Sequence, residues 1–122
     1  MLPADKFDIE ANEQLAVAPA QKVIPLLPQL LTWVQDMNWP VAEPALELLM
    51  QYPTEITPLV EDVLLGDDEM WKYWCLERIV PNLPFYSKMV LANAVEQIAS
   101  SKRPKDVELV PLAKAALQSF EP

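Results

Sequence analysis

Pro28 and Pro58, Asp36 and Asp67, Leu46 and Leu76, and Pro53 and Pro84 lie 30, 31, 30 and 31 positions apart. A register kept over four pairs constrains the chain strongly, because units of about thirty residues cannot bury their apolar sides alone and must stack on neighbours. The stretch Gln35 to Ala42, QDMNWPVA, and its flanks show what each unit contains. Ile24, Leu27, Leu31 and Val34 keep helical spacing before it, and Val41, Ala45 and Leu48 keep it afterwards. The spacing predicts two amphipathic helices meeting at a short turn. Pro40 is expected at the first position of the second helix, where a missing N–H is no loss and the ring holds φ near its helical value. Asn38 or Trp39 is the expected cap, since a residue before proline is pushed out of the α region. Asp36 is expected to bring its carboxylate to the exposed amides of the following helix.

The same reasoning predicts a first helix over Asp5 to Val17, with Phe7, Ala11 and Leu15 on one face. A second follows over Lys22 to Asp36, with Pro25 and Pro28 in its first turns, and a third over Pro40 to Gln51, which Pro44 either kinks or delays. Thr57 is the expected N-cap of a short helix ending at Leu65, with Pro58 first in line and Gly66 as a left-handed C-cap. Asp67, Asp68 and Glu69 are expected to cap a helix from Glu69 to Val80 that Pro81 stops. Pro84 to Ala99 is helical by the spacing of Tyr86, Val90, Ala94 and Ile98. A basic loop, SSKRPK, leads to a last helix carrying LAKAALQSF, with Pro111 at its start or at a kink. This third pair departs furthest from the repeat, as terminal units do when one side faces water.

Composition excludes several chemistries. Thirteen prolines against one glycine would read as disorder in a polar chain, but 52% of the residues are hydrophobic, so the prolines punctuate packed elements. Histidine is absent from the sequence, which removes the usual zinc ligand and the Ser-His and Cys-His nucleophile systems. Cys75, the single cysteine, forms no internal disulfide, and its place beside Leu76 and Ile79 on a helical wheel predicts a packed thiol. MLPADKFD lacks a basic segment followed by an apolar run, and the longest uncharged stretch, Val23 to Gln35, is broken by two prolines; neither a signal peptide nor a membrane span is expected, and a cytoplasmic location is. Residues 1 to 69 carry two basic and thirteen acidic side chains, net −11, and residues 70 to 122 seven and five, net +2, giving −9 in all. Such a balance repels a phosphate backbone, so nucleic acid is not the expected partner and a protein with a basic surface is.

A helix, a turn carrying Asp36, then a helix opening on Val41, Ala42 and Ala45 resembles a HEAT-like repeat in a short form of roughly thirty residues rather than the usual ~40–47. The arginine often found after the valine is Ala42 here. WVQDMNWPVA at 33–42 and LLGDDEMWKYWCLERIVPNLP at 64–84 are similar to a bacterial family known as domain of unknown function 5071. The resemblance implies a small α-α solenoid; with the helical pairs read above, the expectation is an all-α superhelix, HEAT-like, of about three hairpins plus an N-terminal helix, and the length of 122 residues makes 1–122 one domain. The resemblance carries no established activity and no cofactor. Small solenoids of this kind also occur near bacterial toxin and immunity genes.

On a wheel of about 100° per residue, Met70, Trp71, Trp74, Glu77 and Arg78 share one arc, and Tyr73, Cys75, Leu76, Ile79 and Val80 the other. Trp71, Trp74 and Arg78 are therefore the candidate partner-binding patch, with Trp39 at the preceding turn, because Trp and Arg are anchor types. The competing reading is that the indoles fill space between repeats. Asp36, Asn38, Trp39, Pro40, Asp67 and Asp68 are read as turn and capping residues, and the acidic group at 61–69 lacks the alternating spacing of a calcium loop. A protein-binding adaptor or inhibitor, with an immunity-like role as one form of it, fits these features without catalytic chemistry. A small-molecule or pigment-handling chaperone would need a cleft lined by Trp39, Trp71 and Trp74. A HEAT-like DNA-base enzyme would need a basic groove that the charge balance opposes.

Overall fold

The computed structural model describes residues 2–120, and among them every regular element is helical and no strand occurs. The all-α expectation holds. The chain divides into two compact units, Met1–Leu59 and Val60–Pro122.

In the first unit, α1 (Ile9–Ala16) starts later than its spacing predicts. Asp8 is the cap: its Oδ1 accepts the Ala11 amide at 3.3 Å and its Oδ2 the Ala4 amide at 2.9 Å, so the residues before it form a turn. Phe7 is consequently exposed, whereas Ala11 and Leu15 are buried. The second expected helix is broken. Pro25 and Pro28 each remove an amide donor, and the run becomes α2 (Ala20–Val23), a 3-10 turn Ile24–Leu26, α3 (Leu27–Leu31) and a 3-10 turn Thr32–Gln35. Leu27, Leu31 and Val34 are buried all the same, Ile24 is exposed, and α3 packs on α4 (Ala42–Leu49), as does α1.

The turn before α4 corrects several expectations. Pro40 precedes the helix instead of opening it, and neither Asn38 nor Trp39 caps it; Val41 does, without a side-chain cap bond. Val41 is held from two sides, its N–H donating to the Lys6 carbonyl at 3.0 Å and its carbonyl accepting Nδ2 of buried Asn12 at 3.1 Å. Asp36 closes the turn on itself: Oδ1 accepts the Asn38 amide at 2.9 Å and the carbonyl accepts the Trp39 amide at 3.2 Å. Pro44 lies in the first turn of α4, where an absent amide leaves nothing unpaired.

The boundary between the units falls inside α5 (Pro53–Leu64), which does not begin at Thr57. Pro53 takes the first position, Pro58 lies within the helix, and the buried Thr57 hydroxyl donates back to the Pro53 carbonyl at 2.6 Å. No described residue has a positive φ, so Gly66 is not a left-handed cap. Its missing Cβ matters because one would meet the Asp62 and Val63 carbonyl oxygens at 3.3 Å.

In the second unit, Asp68 caps α6 (Glu69–Trp74) as expected, Oδ1 accepting the Trp71 amide at 3.0 Å. Beyond Trp74 the helix widens into a π turn, Cys75–Ile79, and tightens to a 3-10 turn, Val80–Asn82. Pro81 has no N–H for the Glu77 carbonyl and its ring crowds that oxygen, so regular α geometry to Val80 is not available. α7 (Phe85–Ala99) matches its expected span, burying Ala94 and Ile98 and exposing Tyr86 and Val90. It packs along α8 (Leu109–Gln118), which has Pro111 in its first turn and also touches α6 and the π turn.

Two aspartates at turns now differ in what they hold. Asp68→Ala is expected to cost about 1 kcal/mol for a lost helix cap, and Asp36→Ala about 0.5 kcal/mol for a bond closing an exposed turn. Urea midpoints of the two single variants check the order; an equal or larger loss at Asp36 would return it to a helix-capping role.

Candidate binding site

A cleft of about 470 Å³ opens in the second unit where α6 faces the start of α8, lined by Glu69, Met70, Tyr73, Trp74, Lys105, Glu108 and Leu109. Consecutive aromatic residues on a helix diverge by about 100°, and here the two rings meet edge to face. The Tyr73 and Trp74 centroids are 4.9 Å apart with planes at 86°, and both side chains are half-buried. Met70 stands 56% exposed beside them. An aromatic pair with a flexible thioether adapts to an apolar guest. Around the edge, Lys105 Nζ lies 3.6 Å from Glu69 Oε1 and 3.9 Å from Asp67 Oδ1. Exposed ion pairs of this kind add little stability and serve more to shape the surface field.

Of the residues singled out from sequence, Trp74 lines this cleft and Trp71 and Arg78 do not. The π turn is the reason for Arg78, because it places more residues in a turn than the wheel assumes and rotates everything after Trp74. Arg78 is half-buried, its carbonyl accepting Asn82 Nδ2 at 3.1 Å. Trp71 is half-buried too, and its Nε1 is buried without a hydrogen-bond partner among the described residues. Trp39 belongs to the first unit, edge to face with Trp33 at 5.7 Å and 76°. One indole of the three expected therefore reaches the cleft. Tyr73, assigned by the wheel to the packed arc, is instead a wall of it. Cys75 is fully buried, and burial first, then the field of Asp68, pushes its thiol well above the usual range, as suits a packed side chain.

A second cleft in the same unit, about 280 Å³, is more polar and takes in Lys72, Gln97, Ser101, Arg103 and Asp106. Asp106 is its hub. Its Oδ2 accepts the Ser101 hydroxyl and Arg103 Nε at 2.9 Å, and its Oδ1 accepts Arg103 Nη2 at 3.3 Å. Those bonds, the one from Arg103 foremost, outweigh desolvation and hold the carboxyl below its ordinary range, with the field of Lys72 adding to them. The 3-10 turn Pro104–Asp106 presents this carboxylate back to its own loop. From sequence the loop reads as merely basic, and Lys72, Arg103 and Asp106 are not among the candidates. One signal was there: Lys72 precedes Leu76 and Ile79 by four and seven positions, the spacing of a core face.

Asp106 carries a pH dependence of definite sign. A folded-state pKa below the unfolded value contributes stability that is complete above the ordinary aspartate value of 3.8 and is lost as pH falls through the lower folded value. Asp106→Asn is therefore expected to be less stable than the parent at neutral pH and to flatten the acid limb of the stability curve. Thermal midpoints across an acid series check this; parallel curves for parent and variant would contradict it. Arg103, the partner of Asp106, is half-exposed, so solvent screening keeps the effect modest.

A family model described as Domain of unknown function (DUF5071) matches residues 1–117. No curated protein matches the chain.

Proposed function

We propose that this chain, which belongs to the DUF5071 family, is a protein-binding module of HEAT-like helical repeats, an adaptor or inhibitor without catalytic chemistry of its own. The observation that supports this reading is the cleft of Met70, Tyr73 and Trp74, an accessible apolar surface with acidic side chains around it. Apolar rings and a thioether are anchor groups of protein interfaces. Glu69 and Glu108 at the edge, with exposed Asp67 and Asp68 close in sequence, favour a basic partner. In this reading one apolar side chain of the partner enters between Met70 and Trp74 while its Lys or Arg residues meet that edge. The net charge of −9 disfavours nucleic acid as the partner. No helix among the described residues is long and apolar enough to cross a membrane, and a cytoplasmic setting remains part of the proposal.

Peptide display against the immobilised full chain tests it. Sequences pairing an aromatic or aliphatic residue with Lys or Arg are expected to be enriched, and to be lost when Met70→Glu replaces the parent as bait. Enrichment of the same sequences by both baits would contradict the reading. A cleft of about 470 Å³ is also within the range of small-molecule sites. The chaperone reading is preferred if apolar dyes quench the parent's tryptophan fluorescence, fail to do so in Met70→Glu, and no peptide is enriched.

A further inference from the structure

We propose that the apolar cleft of the second unit selects arginine over lysine as the cationic residue of its partner, the guanidinium lying in the corner between the Tyr73 and Trp74 rings with the Glu108 carboxylate at its edge. The inference rests on the docking reading and names the group that makes a basic partner fit this cleft. Side chains of neighbouring residues on a helix ordinarily point apart, yet these two planes stand at 86° with centroids 4.9 Å apart, and both residues line the cleft. Two rings at a right angle enclose a corner. A flat cation stacked on one face there also lies against the other, within about 6 Å of both centroids, which is the reach of a cation–π contact.

The charges point the same way. Lys105 is turned to Glu69 at 3.6 Å and to Asp67 at 3.9 Å, so exposed Glu108 is the carboxylate of the lining that it does not pair. Counted together with the neighbouring polar cleft, Lys72, Arg103 and Lys105 offset Asp67, Glu69 and Asp106, and Glu108 and the α6 cap Asp68 remain. Solvated carboxylates demand no partner, but their field favours a cation at the mouth. What separates arginine from lysine is the floor. Met70, Tyr73, Trp74 and Leu109 present apolar surface and ring faces. An ammonium is compact and strongly hydrated, with three N–H groups that such a floor does not satisfy. A guanidinium is weakly hydrated, stacks on an aromatic face and keeps its donors in its own plane, where they reach a carboxylate at the edge. Its methylenes cover apolar surface on the way in, as Met70 offers. The cleft of about 470 Å³ takes the guanidinium, its stem and one apolar side chain beside it.

NMR titration of the full chain with three blocked dipeptides, leucyl-arginine, leucyl-lysine and leucyl-citrulline, tests the inference at constant ionic strength. Leucine supplies the apolar contact in each, and citrulline keeps the shape of arginine without its charge. Saturable shifts are expected at the Trp74 indole N–H and the Met70 methyl with leucyl-arginine, and binding at least about tenfold weaker with each of the other two. Glu108→Gln should weaken leucyl-arginine about threefold and leave leucyl-citrulline unchanged. Lysine binding as tightly as arginine would overturn the inference, and so would citrulline doing so, since the charge would then play no part. The docking reading survives both of those results provided that Met70→Glu abolishes the shifts. If none of the three dipeptides binds, the inference falls as well, and the display experiment alone judges the docking reading. The comparison changes the probe and not the protein, so its outcome depends on no variant folding.

Discussion

Trp71→Ala is expected to lower the folding stability by about 3 kcal/mol, and Trp71→Phe by less than about 1 kcal/mol. The two numbers come from one observation: the indole is half-buried, and its Nε1 is buried with no hydrogen-bond partner among the described residues. Alanine removes the packed ring and leaves a cavity. Phenylalanine keeps most of the apolar surface and deletes a polar atom whose burial nothing repays, so the usual penalty for losing a hydrogen bond does not arise. Against a total stability of roughly 5–15 kcal/mol, the alanine variant loses a large share. Urea unfolding followed by far-UV circular dichroism checks both. A near-neutral alanine variant would restore Trp71 as an accessible anchor, and a phenylalanine variant as damaging as alanine would mean that the indole N–H has a partner.

The second large effect is on binding. Met70→Glu places a carboxylate in the mouth of the apolar cleft, beside Glu69 and Glu108. With the side chain 56% exposed, the substitution should leave stability within about 0.5 kcal/mol. Binding of an apolar, basic partner should nevertheless fall by about 2 kcal/mol or more, because the variant removes an anchor contact and desolvates a charge. Trp74→Ala should lose as much binding, but it also breaks the edge-to-face pair with Tyr73, worth about 0.5–1.5 kcal/mol, so its stability is expected to drop. The contrast between the two variants separates docking from packing: one loses binding alone, the other both.

Much of the fold could be read from local chemistry. Asp68 caps α6 and Pro84 starts α7 where side-chain oxygens and fixed φ values place them. What the sequence hid was nonlocal. Nothing near Val41 announces that Asn12 and Lys6 will bond its peptide groups and so dispense with a capping side chain. Pro58 at the start of a helix and Pro58 within a longer one obey the same local rule, and the Thr57 hydroxyl turning back to Pro53 is visible only in three dimensions. The candidate site suffered most from a uniform wheel. A π turn after Trp74 removed Arg78 from its predicted neighbours, while Tyr73 came out to join Trp74. The charge of Lys72 gives no sign of its burial, although its position ahead of Leu76 and Ile79 places it on the core side. Lys105, which ends the SSKRPK loop, and Glu108 and Leu109 just after it complete the cleft, a pairing that spacing cannot show.

The central claim is that the Met70–Trp74 cleft is a partner-binding surface. Isothermal titration of the most enriched display peptide into the parent and into Met70→Glu, with thermal midpoints taken on the same samples, tests it most directly. The account predicts matching midpoints and an affinity about thirtyfold or more weaker for the variant. Equal affinities at equal midpoints would contradict it.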